Sequence, residues 1–271
     1  MLPFRTIFAA VAACALLWWS APAKSADIPV DLELVLAVDV SLSMDSFEQK
    51  MQLQGYVAAM RDPQVLHAVE TGPHKRIAVI FVEWGGEDFQ NIKVPWTLID
   101  GKQAAYRFSE QLARHRLTAL PRTSISTAAL FSAALFEENG FNGMRHVIDI
   151  SGDGPNNQGR PVEPARDEVL AKGIVINGLP LMTREGMGSE WHLDDLDEYY
   201  RHCVIGGPTA FVIPVLEWSH FPQAVRRKLV LELAQQRQVP ASWASLIRVG
   251  SPEYDCLIGE KIWDDIQGDW N

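Results

Sequence analysis

The stretch "VLAVDVSLSMD", residues 35–45, decides how the chain is read. From Leu34 to Val40 it is almost continuously Leu, Val and Ala, the pattern of a strand buried on both faces at the centre of a parallel sheet. The strand, read over 31–40, then runs into three oxygen-bearing side chains at alternate positions: Asp39, Ser41 and Ser43. In an extended strand end, alternate residues point to one side. Taken alone, this ending reads as a helix cap, with Ser41 or Ser43 closing the first turn of the next helix and Asp45 suiting the positive end of its dipole.

Outward from that strand, strand-like and helix-like segments alternate. "SFEQKMQLQGYVAAM" has apolar residues near helical spacing and stops at "RDP", where Asp62 and Pro63 form the N-cap and first residue of a short helix, "QVLHAVE". "KRIAVIFVEW" (75–84) and "NIKVPWTLI" (91–99) are strands joined by "GGEDFQ", a link too short for a crossover helix, so they pair as an antiparallel hairpin. Further helices are expected in "GKQAAYRFSEQLARHR", in "TSISTAALFSAALFEENG" with Gly140 as its C-cap, in "EPARDEVLAKG", in "LDDLDEYYRHCV" and in "FPQAVRRKLVLELAQQRQ". "RHVIDIS", "IVINGLPL" and "TAFVIPV" are the fourth, fifth and sixth strands. The order predicts a doubly wound, Rossmann-like α/β domain over residues 27–238, with a mostly parallel central sheet and one antiparallel strand. Residues 239–271, with Trp243, Trp263, Trp270 and Cys256, read as a C-terminal extension packed back onto that domain.

Residues 1–26 have an early cation, Arg5, an apolar run from Ile7 to Trp19 and small residues at Ala23 and Ala26, which together read as a secretory signal peptide cleaved after Ala26. Cys14 in "VAAC" leaves a lipid-anchored alternative open. Export places the chain in the periplasm or outside the cell, where Cys203 and Cys256, the two cysteines left after cleavage, are expected to form a disulfide. The formal net charge is −10, and cleavage makes it two units more acidic by removing Arg5 and Lys24. Nucleic acid is excluded as a partner, since phosphate binding needs clustered cations. No apolar run after the leader is long and unbroken enough for a transmembrane segment.

In open α/β sheets, ligands bind beyond the carboxyl ends of the central strands. The loops there are "DVSLS", "RTSIS" and "SGDGPNN", which offer Asp39, Ser41, Ser43, Thr123 and Asp153. Five hard oxygen donors with only two negative charges suit Mg2+ or Mn2+. The seven histidines show no zinc-enzyme spacing, and Ser151 lacks a nucleophile elbow. Asn156 and Asn157 read as ordinary turn residues, Asp149 as a strand residue paired locally, "RRK" (226–228) as a solvated helix face, and Trp84 and Trp96 as packing residues.

D-x-S-x-S, a Thr opening a later helix and an Asp before Gly after a later strand, in that order, resemble the metal-ion-dependent adhesion site of von Willebrand factor type A domains. "FVEWGG", "VPWTLI", "SGDGPNN", "CVIGGPTAFV" and "RRKLVLELA" look like a secreted bacterial subgroup of these domains whose function is unknown. The resemblance implies that Ser41 and Ser43 coordinate a metal directly, that Asp39, Thr123 and Asp153 do so directly or through water, and that one position stays open for a carboxylate from a protein partner. One departure is Arg122, which stands where the family often has a small residue before the threonine, and Ser124 is an alternative to Thr123. The leading expectation is a non-enzymatic, metal-dependent protein-binding module. The alternatives are a metal-assisted hydrolase or phosphatase using the same ion, and a metal-free scaffold.

Overall fold

Strand β2 (Glu33–Asp39) lies at the centre of a five-stranded sheet in a computed structural model that describes residues 26–41, 46–116, 118, 120–183, 193–234 and 254–268. The expected signal peptide therefore lies almost wholly outside the described residues, as do Ser43 and residues 239–253 of the expected extension. The strand order is β4 (Gln90–Ile99), β3 (Ile77–Trp84), β2, β6 (His146–Gly152), β7 (Val175–Pro180), with every neighbouring pair parallel except β3 and β4. This is the mostly parallel, doubly wound sheet with one antiparallel strand that the sequence predicts.

The period-2 geometry of strands sorts the two layers of core. Leu34, Leu36 and Val38 of β2, with Val79 and Phe81 of β3, face one apolar cluster, covered by helices α1 (Ser46–Ala59), α2 (Pro63–Glu70), α3 (Lys102–Ala113) and α7 (Phe221–Ala234). Val35 and Ala37, with Ile80, Val82 and Trp84, face the other, under α4 (Ile125–Ala134), α5 (Val162–Ala171) and α6 (Leu196–Tyr199). Asp39 follows Val35 and Ala37 in parity, so it emerges on the second layer, beside Trp84. A final helix, α8 (Ile258–Gly268), joins that layer through Cys256 and Ile258.

Some local expectations are corrected. "TAFVIPV" is not a continuous strand: the segment touches β7 through single parallel bridges at Gly178 to Val212 and Leu181 to Val215. Ile213 and Val215 donate to the Gly178 and Pro180 carbonyls, but Pro180 has no amide hydrogen to donate to the Ile213 carbonyl, so the ladder is interrupted between the two bridges. Helix α4 ends at Ala134 rather than Gly140. The Leu135 carbonyl accepts from Trp96 Nε1 at 2.9 Å, and the chain turns to make β5 (Phe141–Gly143), which pairs with β1 (Ile28–Val30) in a small separate sheet that the sequence reading missed.

The "RRK" face is not solvated at its end. Lys228 is fully buried against β6, 2.5 Å from Asp149 Oδ1 and 2.9 Å from Glu232 Oε1. Asn177 Nδ2 donates to the same Glu232 oxygen at 3.0 Å, and Arg145 donates to the Glu232 carbonyl. Burial, reinforced by the Glu232 charge and opposed by Lys228, pushes the Asp149 carboxyl up to about 7. Among the described residues, no helix is long and apolar enough to cross a membrane.

Candidate functional site

Asp39 is the last residue of β2 and is completely buried. One of its oxygens, Oδ1, accepts the Ser41 amide at 2.8 Å, an arrangement that short polar side chains make two residues ahead of themselves. Its other oxygen, Oδ2, is buried with no hydrogen-bond partner among the described residues. Ser41, bridged to Leu120, donates its hydroxyl to Asp153 Oδ1 at 3.2 Å. Asp153 stands just past β6 and is 6% exposed. Three of the predicted residues, Asp39, Ser41 and Asp153, thus meet at the carboxyl edge of the sheet.

Burial raises the Asp39 carboxyl well above the usual carboxylate range, and the Asp153 charge adds to the rise. Hydrogen bonds from Ser41 and from the Asp153 backbone oppose it, and among the described residues no cationic side chain acts on Asp39. The approach of these parts depends on Gly152, where a Cβ would stand 2.9 Å from both Asp39 Oδ2 and the Tyr200 hydroxyl and 3.3 Å from the Trp84 ring. The Tyr200 hydroxyl and Trp84 Nε1 are likewise buried without partners among the described residues. Burial, then the Asp39 charge, holds the Tyr200 phenol well above its ordinary value, so it stays a donor.

Thr123 lies next to Asp153's loop, and its neighbour Ser124 has a different task. The Ser124 hydroxyl caps α4, accepting the Thr127 amide, and lies 2.8 Å from Thr127 Oγ1. Thr123, one residue earlier, takes no part in that cap. Asn157 binds Thr123 twice: its Oδ1 accepts the Thr123 amide and its own amide donates to the Thr123 carbonyl, both at 2.9 Å. Asn156, fully buried, accepts the Ser126 amide at 3.0 Å through Oδ1, while its Nδ2 donates to Gln158 O, Arg160 O and Glu260 Oε1. The pair read in sequence as ordinary turn residues instead fastens the loop after β6 to the start of α4. Their adjacency to Asp153 was the only signal available.

Arg122, at φ 78°, lays its guanidinium 3.3 Å from the ring centroid of Trp263 in α8. Cys256 forms the expected disulfide with Cys203, Cα to Cα 5.5 Å, in the π-helical turn Tyr200–Val204 that also supplies Tyr200.

A divalent cation fits the donor set. An Asp39 oxygen buried without a partner among the described residues, a second carboxylate and a hydroxyl converge there, and an unpaired buried charge is costly. Among the described residues no group of three or more His, Cys, Asp or Glu side chains is placed to hold a metal, so an ion here would depend on hydroxyl oxygens as well as the two aspartates.

Residues 29–237 match a family described as protein of unknown function (DUF1194). Proximal thread matrix protein 1 of the mussel byssus has a similar fold, with a TM-score of 0.54 and 14% identity over 77% of this chain and 49% of that one. Another structure of that mussel protein has a zinc-occupied MIDAS motif. A von Willebrand factor type A protein from Catenulispora acidiphila superposes with a TM-score of 0.50 and 14% identity over 74% of this chain and 42% of that one. For the pilus adhesin SpaC of Lactobacillus rhamnosus GG the values are 0.51 and 9%, over 79% and 32%. The chain spans about half the length of the mussel protein and less of the other two. At these identities the likeness establishes the fold alone. No curated protein sequence matches this one significantly.

Proposed function

The chain belongs to the DUF1194 family of proteins of unknown function and has the von Willebrand factor type A fold, and from that premise we propose that it is an exported, metal-dependent protein-binding module without enzymatic activity. Asp39, Ser41 and Asp153, joined by Ser43 and Thr123, would hold Mg2+ or Mn2+ at the carboxyl edge of the sheet. The observation that carries this reading is the fully buried Asp39 Oδ2, without a hydrogen-bond partner among the described residues, beside Asp153. A bound divalent ion would supply a positive charge there and, with few anionic ligands of its own, an electrophilic position for a carboxylate of a partner protein.

The chain's own residues do the positioning. Ser41 ties Asp39 to Asp153, as its amide donates to one and its hydroxyl to the other. Asn157 holds Thr123 beside the Asp153 loop. Trp84 and Tyr200 enclose the Asp39 side and keep bulk water from it.

Calorimetric titration of the disulfide-intact protein with Mg2+ and Mn2+ tests the reading, alongside capture of envelope proteins with and without a chelator. Binding of a divalent ion that Asp39→Ala abolishes, and chelator-sensitive capture, are expected. Absence of binding to either ion would refute the metal site. Turnover of phosphate or carboxylate esters stimulated by Mg2+ would instead favour the hydrolase.

A further inference from the structure

Helix α8 lies outside the 29–237 stretch that matches the family, yet it is fastened to both loops that frame the candidate site. Glu260 Oε1 accepts Asn156 Nδ2 at 2.8 Å. One residue earlier, Gly259 lets the helix rest on the loop, since a Cβ there would collide with the Asn156 carbonyl and stand 2.9 Å from Pro155 Cβ. Trp263 takes the guanidinium of Arg122, whose backbone leads straight into Thr123. The helix is anchored by the disulfide to Cys203, and Tyr254 stacks on His202 with 5.4 Å between ring centroids and 3° between their planes.

We propose that Glu260 and Trp263 are positioning residues for the candidate metal site, acting through Asn156 and Arg122 to hold the Asp153 and Thr123 loops at a fixed separation. The inference rests on the metal-site reading above and extends it: the binding unit is the sheet domain together with its C-terminal helix. Asn156 has no slack to hold the loops alone, because its carboxamide is already divided between Ser126, Gln158 and Arg160. Glu260 completes that set from outside the loop. Arg122 is held in a left-handed conformation that a non-glycine residue adopts at a cost, and the cation–π contact with Trp263 offsets it. Supporting groups behind metal ligands commonly change affinity by about 10- to 100-fold when removed.

The test is Mn2+ titration of the disulfide-intact protein and its variants, with hydrogen exchange of amides 153–160 followed in metal-free samples. Glu260→Ala and Trp263→Ala should each weaken Mn2+ binding on the order of tenfold and speed exchange in that loop, while the metal-free Tm changes little. Glu260→Gln, whose amide oxygen still accepts from Asn156, should bind like the parent. Parent-like affinity and exchange in both alanine variants would overturn the proposal, as would Glu260→Gln behaving like Glu260→Ala. If the parent itself bound no Mn2+, the metal reading would fall. Unchanged exchange in the alanine variants would then also overturn the positioning role, and faster exchange would support it.

Discussion

The ammonium of Lys228 lies 2.5 Å from Asp149 Oδ1, with 0% and 1% of the two side chains exposed. The pair joins α7 to β6, the strand that leads into the Asp153 loop. Removing one member of a buried pair leaves a charge with neither water nor partner. Lys228→Met should therefore lower stability by about 3–5 kcal/mol, read from urea unfolding followed by far-UV circular dichroism. A loss below about 1 kcal/mol, the ordinary scale of an exposed pair, would show the site to be hydrated.

The same cluster carries a pH signature. Burial, the Glu232 charge and the opposing Lys228 leave Asp149 titrating at about 7 in the folded protein, against 3.8 for an unperturbed aspartate. Between those values the native state holds a proton that the unfolded chain has lost. Its contribution to stability is fully present below the unfolded value and disappears as pH rises through the folded one. Asp149→Asn removes this dependence, so its stability relative to the parent should improve as pH is raised from 5 to 8. Urea midpoints at both pH values measure the difference, and a constant offset would count against it.

Much of this was readable in advance, for reasons that differ from place to place. Strand β2 announced itself because burial on both faces demands an unbroken apolar run, and the short "GGEDFQ" link forced the hairpin. Asp39, Ser41 and Asp153 were legible because strand ends in such a sheet converge. Lys228 was not, since a lysine at a helix position looks solvated until the opposing strand is known to present Asp149. The sixth strand failed on Pro180 of the neighbouring strand, which has no amide to donate to it, a fact that the Val- and Ile-rich run itself does not carry. Asn156 and Asn157 carry turn chemistry in their letters, and only tertiary contacts reveal what they fasten.

Asp39→Asn should have opposite effects with and without metal. In chelator, removing a buried negative charge beside Asp153 should stabilise the protein, because burial and the Asp153 charge both disfavour the ionised Asp39 carboxyl. With Mn2+ at about 100 times its dissociation constant, the parent should gain roughly 2.7 kcal/mol and the variant nothing. Thermal unfolding under the two conditions separates these effects. A variant that Mn2+ still stabilises would remove Asp39 from the ligand set.

Adjacent hydroxyls should separate by function. Ser124→Ala removes the cap of α4 and should cost about 1 kcal/mol while leaving Mn2+ affinity alone. Thr123→Ala should weaken Mn2+ binding instead. Calorimetry paired with urea unfolding of both variants decides between them, and the reverse pattern would make Ser124 the ligand.

The disulfide closes a separation of 53 residues, for which loop-closure entropy predicts about 4 kcal/mol of stabilisation. The Cys203→Ser/Cys256→Ser double variant should lose stability on that scale in urea. Equal midpoints for the variant and the oxidised parent would mean that α8 stays docked without its tether.

The reciprocal bonds between Asn157 and Thr123 make residues 120–127 and 153–160 inseparable in a practical sense. Each stretch supplies the hydrogen-bond partners that give the other its shape. Anyone grafting this site onto another scaffold, or exchanging specificity between relatives, should treat the two as one cassette. Moving the threonine without its asparagine would transplant a candidate ligand and leave its address behind.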